Sequence, residues 1–175
     1  MKIWPVNNEP AILTTALQTR IAQEIVAAGG WLPFDRFMEL ALYAPGLGYY
    51  ANGSAKFGIL PDSGSDFVTA PEISPIFGQL VAAQLAEAME HTKTREIWEF
   101  GAGTGALALQ ILDELSAAGN LPERYSIVDL SGTLRARQKT KLAKYDGLVH
   151  WVDALPEQMQ GVIVGNEVLD AMPVQ

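Results

Sequence analysis

Three glycines at alternate positions, Gly101, Gly103 and Gly105, follow an acid, Glu99, placed two residues ahead of the first. Glycine has no Cβ, so a backbone built from it can bend sharply and lie directly against a ligand. The residues before the turn, 96–100, are mostly apolar, and those after it, 106–112, are strong helix formers. Strand, glycine turn and helix in that order leave the first N–H groups of the helix free for an anionic or strongly polar part of a ligand. That is the chemistry of holding a nucleotide-type cofactor. Further polar groups fall after later apolar runs: Asp129 after 125–128, Asp153 after 148–152, and Asn166, Glu167 and Asp170 after 161–165. Each lies at the carboxyl end of a predicted strand, where open α/β sheets bind their ligands.

The spacing admits two cofactor classes. Gly101-x-Gly103-x-x-Ala106 fits the dinucleotide-binding pattern in its G-x-G-x-x-A form. Glu99, Gly101, Gly103 and Gly105 also fit the acid-x-G-x-G-x-G motif of class I S-adenosyl-L-methionine (SAM) methyltransferases. Glu99 favours SAM, because its carboxylate can reach a methionine ammonium, directly or through water, and NAD offers no cation there. Asp129 can accept hydrogen bonds from both ribose hydroxyls in either class, or simply lead into the turn at Ser131-Gly132. Asp153 stands where methyltransferases commonly take the adenine amino group, and reads equally as a solvent-facing loop acid. Asn166 joins the cofactor-side group. If a helix starts at Glu167, then Glu167 and Asp170 share one face. Two carboxylates so placed can clamp a guanidinium, orient a nitrogen lone pair and accept its proton. The competing reading is a helix cap with ordinary acids in its first turn.

The elements that position these groups follow from pattern. The chain has 175 residues, 49% hydrophobic and 18% charged, enough apolar material for a real core and too little charge for disorder. Helices are predicted over 11–28, 33–43 and, from the N-cap Ser74 and Pro75, 74–90. Residues 44–66 are rich in Gly, Pro, Asn and Ser. They predict a long loop with a hairpin near Asn52-Gly53 and a lid role, carrying Phe57, with Tyr43, Tyr49 and Tyr50 as packing residues. Strands over 96–100, 125–130, 148–151 and 162–165 then alternate with helices over 104–118 and 133–144. The fold class is therefore α/β, a Rossmann-like parallel sheet behind a helical and loop region, divided as 1–92 and 93–175. The last strand is uniformly apolar, as if covered on both faces, and belongs beside the first. Its exposed edge predicts either a longer protein of which this is the N-terminal portion, or a covering chain, including a homo-oligomer.

Composition bounds the partners. The net charge of −8 argues against non-specific nucleic-acid binding and against anionic membrane, and suits a basic peptide better. With no cysteine and only His91 and His150, disulfides, Cys-ligated zinc and a His-rich metal site are excluded. The first residues lack the apolar core of a signal peptide, and no apolar run is long enough to span a bilayer, so a cytoplasmic location is expected.

Five segments in order carry a resemblance. Phe37-Met38-Glu39-Leu40-Ala41-Leu42-Tyr43-Ala44-Pro45-Gly46-Leu47-Gly48-Tyr49-Tyr50 resembles the opening signature of the MidA-type SAM-dependent methyltransferases. Residues 64–78, with Thr69-Ala70-Pro71-Glu72-Ile73-Ser74-Pro75 at their centre, resemble the second signature, and 99–105 the cofactor motif. Leu134-Arg135-Ala136-Arg137-Gln138 matches the stretch after the second strand, and Asn166-Glu167-Val168-Leu169-Asp170-Ala171-Met172-Pro173-Val174 the N-E-x-x-D-A-x-P-V segment. Asp129 stands where the family more usually has Glu, and Gly132 where it commonly has Pro. The resemblance covers the N-terminal portion of a typical member. It implies methyl transfer from SAM and, through the mitochondrial member that serves complex I assembly, a protein arginine as acceptor. It also suggests Glu72 as a further acid on the acceptor side. An NAD-dependent oxidoreductase and a non-catalytic assembly factor built on a methyltransferase fold are the alternatives.

Overall fold

The computed structural model describes residues 9–51, 69–129 and 131–174, which form parts of two compact units. The expected hairpin at Asn52-Gly53, Phe57 and the start of the second signature lie outside the described residues.

The first unit comprises Met1–Ser54 with Leu169–Gln175. Helix α1 spans Glu9–Ala27 and α2 Phe34–Tyr43. Gly29 and Gly30 end α1 at φ 83° and 98°, and the Gly30 N–H closes back on the Ile25 carbonyl at 2.8 Å. Glu24 on α1 pairs with Arg20 at 2.6 Å and with Arg36 of α2 at 3.8 Å. Beyond α2 the chain turns back on itself, with Tyr49 N–H donating to the Ala41 carbonyl and Tyr50 N–H to that of Leu42. Tyr50 stacks on Tyr43 at 5.7 Å between centroids and meets Tyr49 edge-on at 5.0 Å, so the three tyrosines pack the turn. The Tyr43 hydroxyl donates to the Ala171 carbonyl at 2.6 Å, which ties the one-turn 3-10 helix Leu169–Ala171 into this unit.

The second unit, Ala55–Val168, holds the sheet. Its elements are α3 (Ala70–Ile73), α4 (Pro75–Thr92), β1 (Glu96–Phe100), α5 (Ala106–Ala117), β2 (Arg124–Val128), α6 (Gly132–Lys141), β3 (Val149–Val152) and β4 (Val162–Gly165). The four strands are parallel in the order β3-β2-β1-β4. Ser74 caps α4, its Oγ accepting from the Ile76 N–H at 3.2 Å, with Pro75 at the first helical position. The core joins Ala82, Leu85 and Met89 of α4, the apolar face of α5, Ile97 of β1, and Tyr125 and Ile127 of β2. That packing makes α4 part of the sheet unit, so the compact units do not divide at residue 92 as expected.

Other differences have local causes. Helix α5 begins two residues later than predicted, because Gly105 holds a left-handed φ of 81° as its N-cap. Strand β2 ends at Val128, before Asp129, and α6 ends at Lys141 ahead of a separate 3-10 turn, Ala143–Tyr145. Strand β4 does lie beside β1, with Glu99 opposite Val164. Its apolar sequence predicted cover on both faces, yet Ile163 is 60% exposed while Val162 and Val164 pack against the core.

Candidate cofactor site

The turn 101–105 is built as its spacing requires. Gly101, Gly103 and Gly105 all take positive φ, at 64°, 54° and 81°, a region costly for any residue with a Cβ. The Gly101 N–H donates to the Val128 carbonyl at 2.9 Å, which fixes the start of the turn to the end of β2. Among the described residues, a Cβ built at Gly103 would meet nothing within 4 Å, so toward them the turn presents bare backbone. A Cβ at Gly101 would lie 3.0 Å from Val168 Cγ2, and one at Gly165 would lie 3.3 Å from the same atom. The segment after β4 thus folds back over the turn, close enough that a Cβ at either glycine would press on Val168.

Glu99 lies one residue before the end of β1 and is 2% exposed. The Tyr125 hydroxyl donates to its Oε2 at 2.9 Å. Burial pushes the Glu99 carboxyl up from an ordinary 4.5 to about 7; the Tyr125 hydrogen bond pulls it back and the charge of Asp129 adds to the rise. Burial likewise holds the Tyr125 hydroxyl protonated far into the alkaline range, reinforced by the Glu99 charge.

Asp129 sits half-buried one residue past β2. Its Oδ1 accepts from the Ser131 N–H at 2.9 Å and its Oδ2 from Gln138 Nε2 at 2.8 Å. It therefore serves the turn that leads into α6, where Ser131 in addition caps the helix. Each carboxylate oxygen has a second lone pair for a ligand hydroxyl. Asp153 follows β3 with its side chain 89% exposed, paired to Arg135 of α6, which also donates to the Val152 and Asp129 carbonyls. Asn166 is half-buried directly after β4.

One expectation needs correction. Glu167 does not open a helix: its φ of 53° is left-handed, and the helical turn that follows among the described residues is Leu169–Ala171. Glu167 and Asp170 consequently do not share a helical face, although both are exposed. Glu72, the acid expected on the acceptor side, is half-buried. Its Oε1 accepts from the Thr104 hydroxyl inside the glycine turn. Lys141 Nζ donates to the same hydroxyl at 3.1 Å, and Gln110 Nε2 donates to the Pro71 carbonyl at 2.7 Å. Helix α3 is thereby docked on the turn and on α5.

Sequence reasoning passed over Tyr125, Thr104, Val168, Gln138 and Trp151. For Gln138 a signal existed, since it closes the segment 134–138 that matches a family signature.

The arrangement fits a SAM-type cofactor. A buried carboxylate stands before the turn, bare backbone lies along it, and a carboxylate held at both oxygens follows the neighbouring strand. Comparison with known proteins agrees. The family model described as "Putative S-adenosyl-L-methionine-dependent methyltransferase" matches residues 80–175. A Burkholderia thailandensis protein crystallised with S-adenosyl-homocysteine (SAH) is 53% identical, with a TM-score of 0.86 over 98% of this chain and 46% of that one. The protein arginine methyltransferase NDUFAF7 homolog of Caenorhabditis elegans, a mitochondrial protein, is 23% identical over 172 residues, 85% of this chain and 40% of its own length. Its Danio rerio counterpart is 27% identical over 190 residues, 93% of this chain and 44% of its own. The chain thus spans less than half the length of these relatives.

Proposed function

The chain belongs to the SAM-dependent methyltransferase family whose model it matches, and we propose that it carries the cofactor half of a MidA-type enzyme that methylates protein arginine. The observation that carries the cofactor reading is the strand, glycine turn and helix with Glu99 before it and Asp129 across from it, shared in fold with a 53%-identical relative that holds SAH. SAM supplies an electrophilic methyl group. Glu99 would hold the ammonium of its methionine part, the backbone of 101–105 would lie along it, and Asp129 would take the ribose hydroxyls. Asp153 would face the adenine amino group, with Arg135 setting its position, and Asn166 would border the site from β4.

The acceptor reading is supported by the names of the curated relatives, which are protein arginine methyltransferases. It is also supported by chemistry: a guanidinium needs carboxylates to orient it and to accept its proton, and Glu167 and Asp170 are exposed carboxylates in the segment following β4. A net charge of −8 suits a basic acceptor segment. Two experiments test the proposal. Calorimetry with SAM, SAH and NAD on the intact protein should give binding of the first two alone; binding of NAD without SAM would overturn it. Mass spectrometry of cells with and without the gene should find a methylarginine that disappears with the gene. Loss of a different methylated residue would keep the cofactor reading and overturn the acceptor.

A further inference from the structure

Gln138 joins the turn after β1, the residue after β2 and strand β3 through its side chain. It lies on α6 with 0% exposure. Its Nε2 donates to the Gly103 carbonyl at 2.9 Å, within the glycine turn after β1, and to Asp129 Oδ2 at 2.8 Å, after β2. Its Oε1 accepts from Trp151 Nε1 at 2.8 Å, on β3. Both amide hydrogens are spent on acceptors and the carbonyl oxygen on a donor, so only one orientation of the amide works. Reversed, it would face an oxygen with an oxygen at Gly103 and at Asp129, and an N–H with an N–H at Trp151. The fit is close as well: a Cβ at Gly105 would come within 3.4 Å of Gln138 Cγ.

From this geometry we propose that Gln138 is a positioning residue for the cofactor. It locks the carboxylate of Asp129 and the carbonyl of Gly103 at a fixed separation, so that the ribose acceptor and the bare turn meet the cofactor already aligned. The proposal rests on the cofactor reading above and goes beyond it by assigning the alignment to a residue that need not touch the ligand. A lone carboxylate hydrogen-bonded only to Ser131 could swing about that contact. With Oδ1 held by the Ser131 N–H and Oδ2 by Gln138, its plane is set at both ends. Preorganisation of this kind raises affinity by removing the ordering cost from the binding step.

Gln138→Glu is the decisive variant, because it keeps the shape and the acceptor for Trp151 but replaces the shared donor with a carboxylate facing Asp129. Gln138→Leu removes all three bonds. In the ligand-free protein, amide hydrogen exchange at 103–105 should speed up about tenfold or more in both variants, while α5 core amides in Gln138→Glu stay as in the wild type. SAH affinity of Gln138→Glu relative to wild type should fall about tenfold to a hundredfold near pH 8. The deficit should shrink toward pH 5, where a protonated side chain can again donate to Asp129; it is read as a ratio to wild type at each pH because Glu99, which feels the charge of Asp129, titrates in both proteins. Gln138→Leu separates positioning from core filling: it occupies similar space without the bonds, so a role confined to filling would leave its SAH affinity and its exchange at 103–105 near wild type. Unchanged exchange at 103–105 overturns the inference, and so does a variant-to-wild-type affinity ratio that is near one or independent of pH. If wild-type protein fails to bind SAH, the cofactor reading falls and the exchange measurement alone decides the role of Gln138.

Discussion

Replacing Glu99 with Gln should make the ligand-free protein more stable at neutral pH while weakening its hold on the cofactor. The buried carboxyl is raised from an ordinary 4.5 to about 7. The folded state therefore keeps the proton more tightly than the unfolded chain. The associated stability is fully present below about pH 4.5 and is lost as pH rises through about 7. Above that, ionised Glu99 costs the fold about 3 kcal/mol, an order-of-magnitude figure obtained by converting the difference between those two values. Glutamine cannot ionise and can still accept from the Tyr125 hydroxyl, so it escapes the loss. Denaturant unfolding should show Glu99→Gln near wild type at about pH 4.5 and more stable by up to about 3 kcal/mol at about pH 8. SAH binding should respond in the opposite sense. An ammonium favours ionised Glu99, so wild-type affinity should drop below about pH 7, by up to tenfold for each pH step of one. The variant should lack this response and bind about tenfold or more weakly at about pH 8. A variant less stable than wild type at about pH 8, or a wild-type affinity that is flat across this range, would refute the reasoning. The first outcome would mean that Tyr125 and its surroundings solvate the anion better than burial penalises it.

Tyr125→Phe removes the hydrogen bond that pulls the Glu99 carboxyl down, so the midpoint of the pH dependence of SAH affinity should move upward, read by calorimetry across a pH series. Gly101→Ala meets both a positive φ of 64° and Val168 Cγ2 at 3.0 Å; thermal unfolding should show a loss of about 2–4 kcal/mol. Gly103→Ala has the strained φ of 54° but meets no described residue within 4 Å of the new methyl. It should cost only about 1–2 kcal/mol of stability yet reduce SAH affinity at least as much as Gly101→Ala. Thr104→Val deletes the hydroxyl shared by Glu72 and Lys141. It should cost about 1–3 kcal/mol and loosen α3, seen as faster amide exchange at 70–73 with α5 unaffected.

What could be read in the sequence was what backbone geometry alone demands. Three alternate glycines, an apolar run before them and helix formers after them leave little choice of local structure, and β1 and β4 were placed to the residue. The same holds for Ser74-Pro75, where cap chemistry names the start of α4. What stayed hidden were contacts that depend on elements far apart in the chain. Nothing in Gly132–Lys141, a polar helix with four basic residues, marks Gln138 as its most buried member; that is decided by the turn at Gly103 and by Trp151, which arrive from β1 and β3. Glu72 was legible as an acid in a family signature but not as a partner of Thr104, because α3 reaches the turn across 32 residues of chain.

The segment after β4 shows why a local rule failed. Glu167 and Asp170, three apart in a run without glycine, read as the first turn of a helix. Yet Val168 packs in the space left by the missing side chains of Gly101 and Gly165. A continuous helix would have to carry its residues in steps of about 100° from the strand end. The left-handed Glu167, at φ 53°, instead turns the chain abruptly and lets Val168 close over the two glycines. Such a conformation costs a non-glycine residue on the order of 1–2 kcal/mol, which the burial of one valine against backbone can offset. Gly101 is thus required twice, for its own φ and for the neighbour it admits. The glycine motif fixes the course of the acid-bearing segment as well as the cofactor turn, and a reading that treats the two as separate motifs misses the coupling.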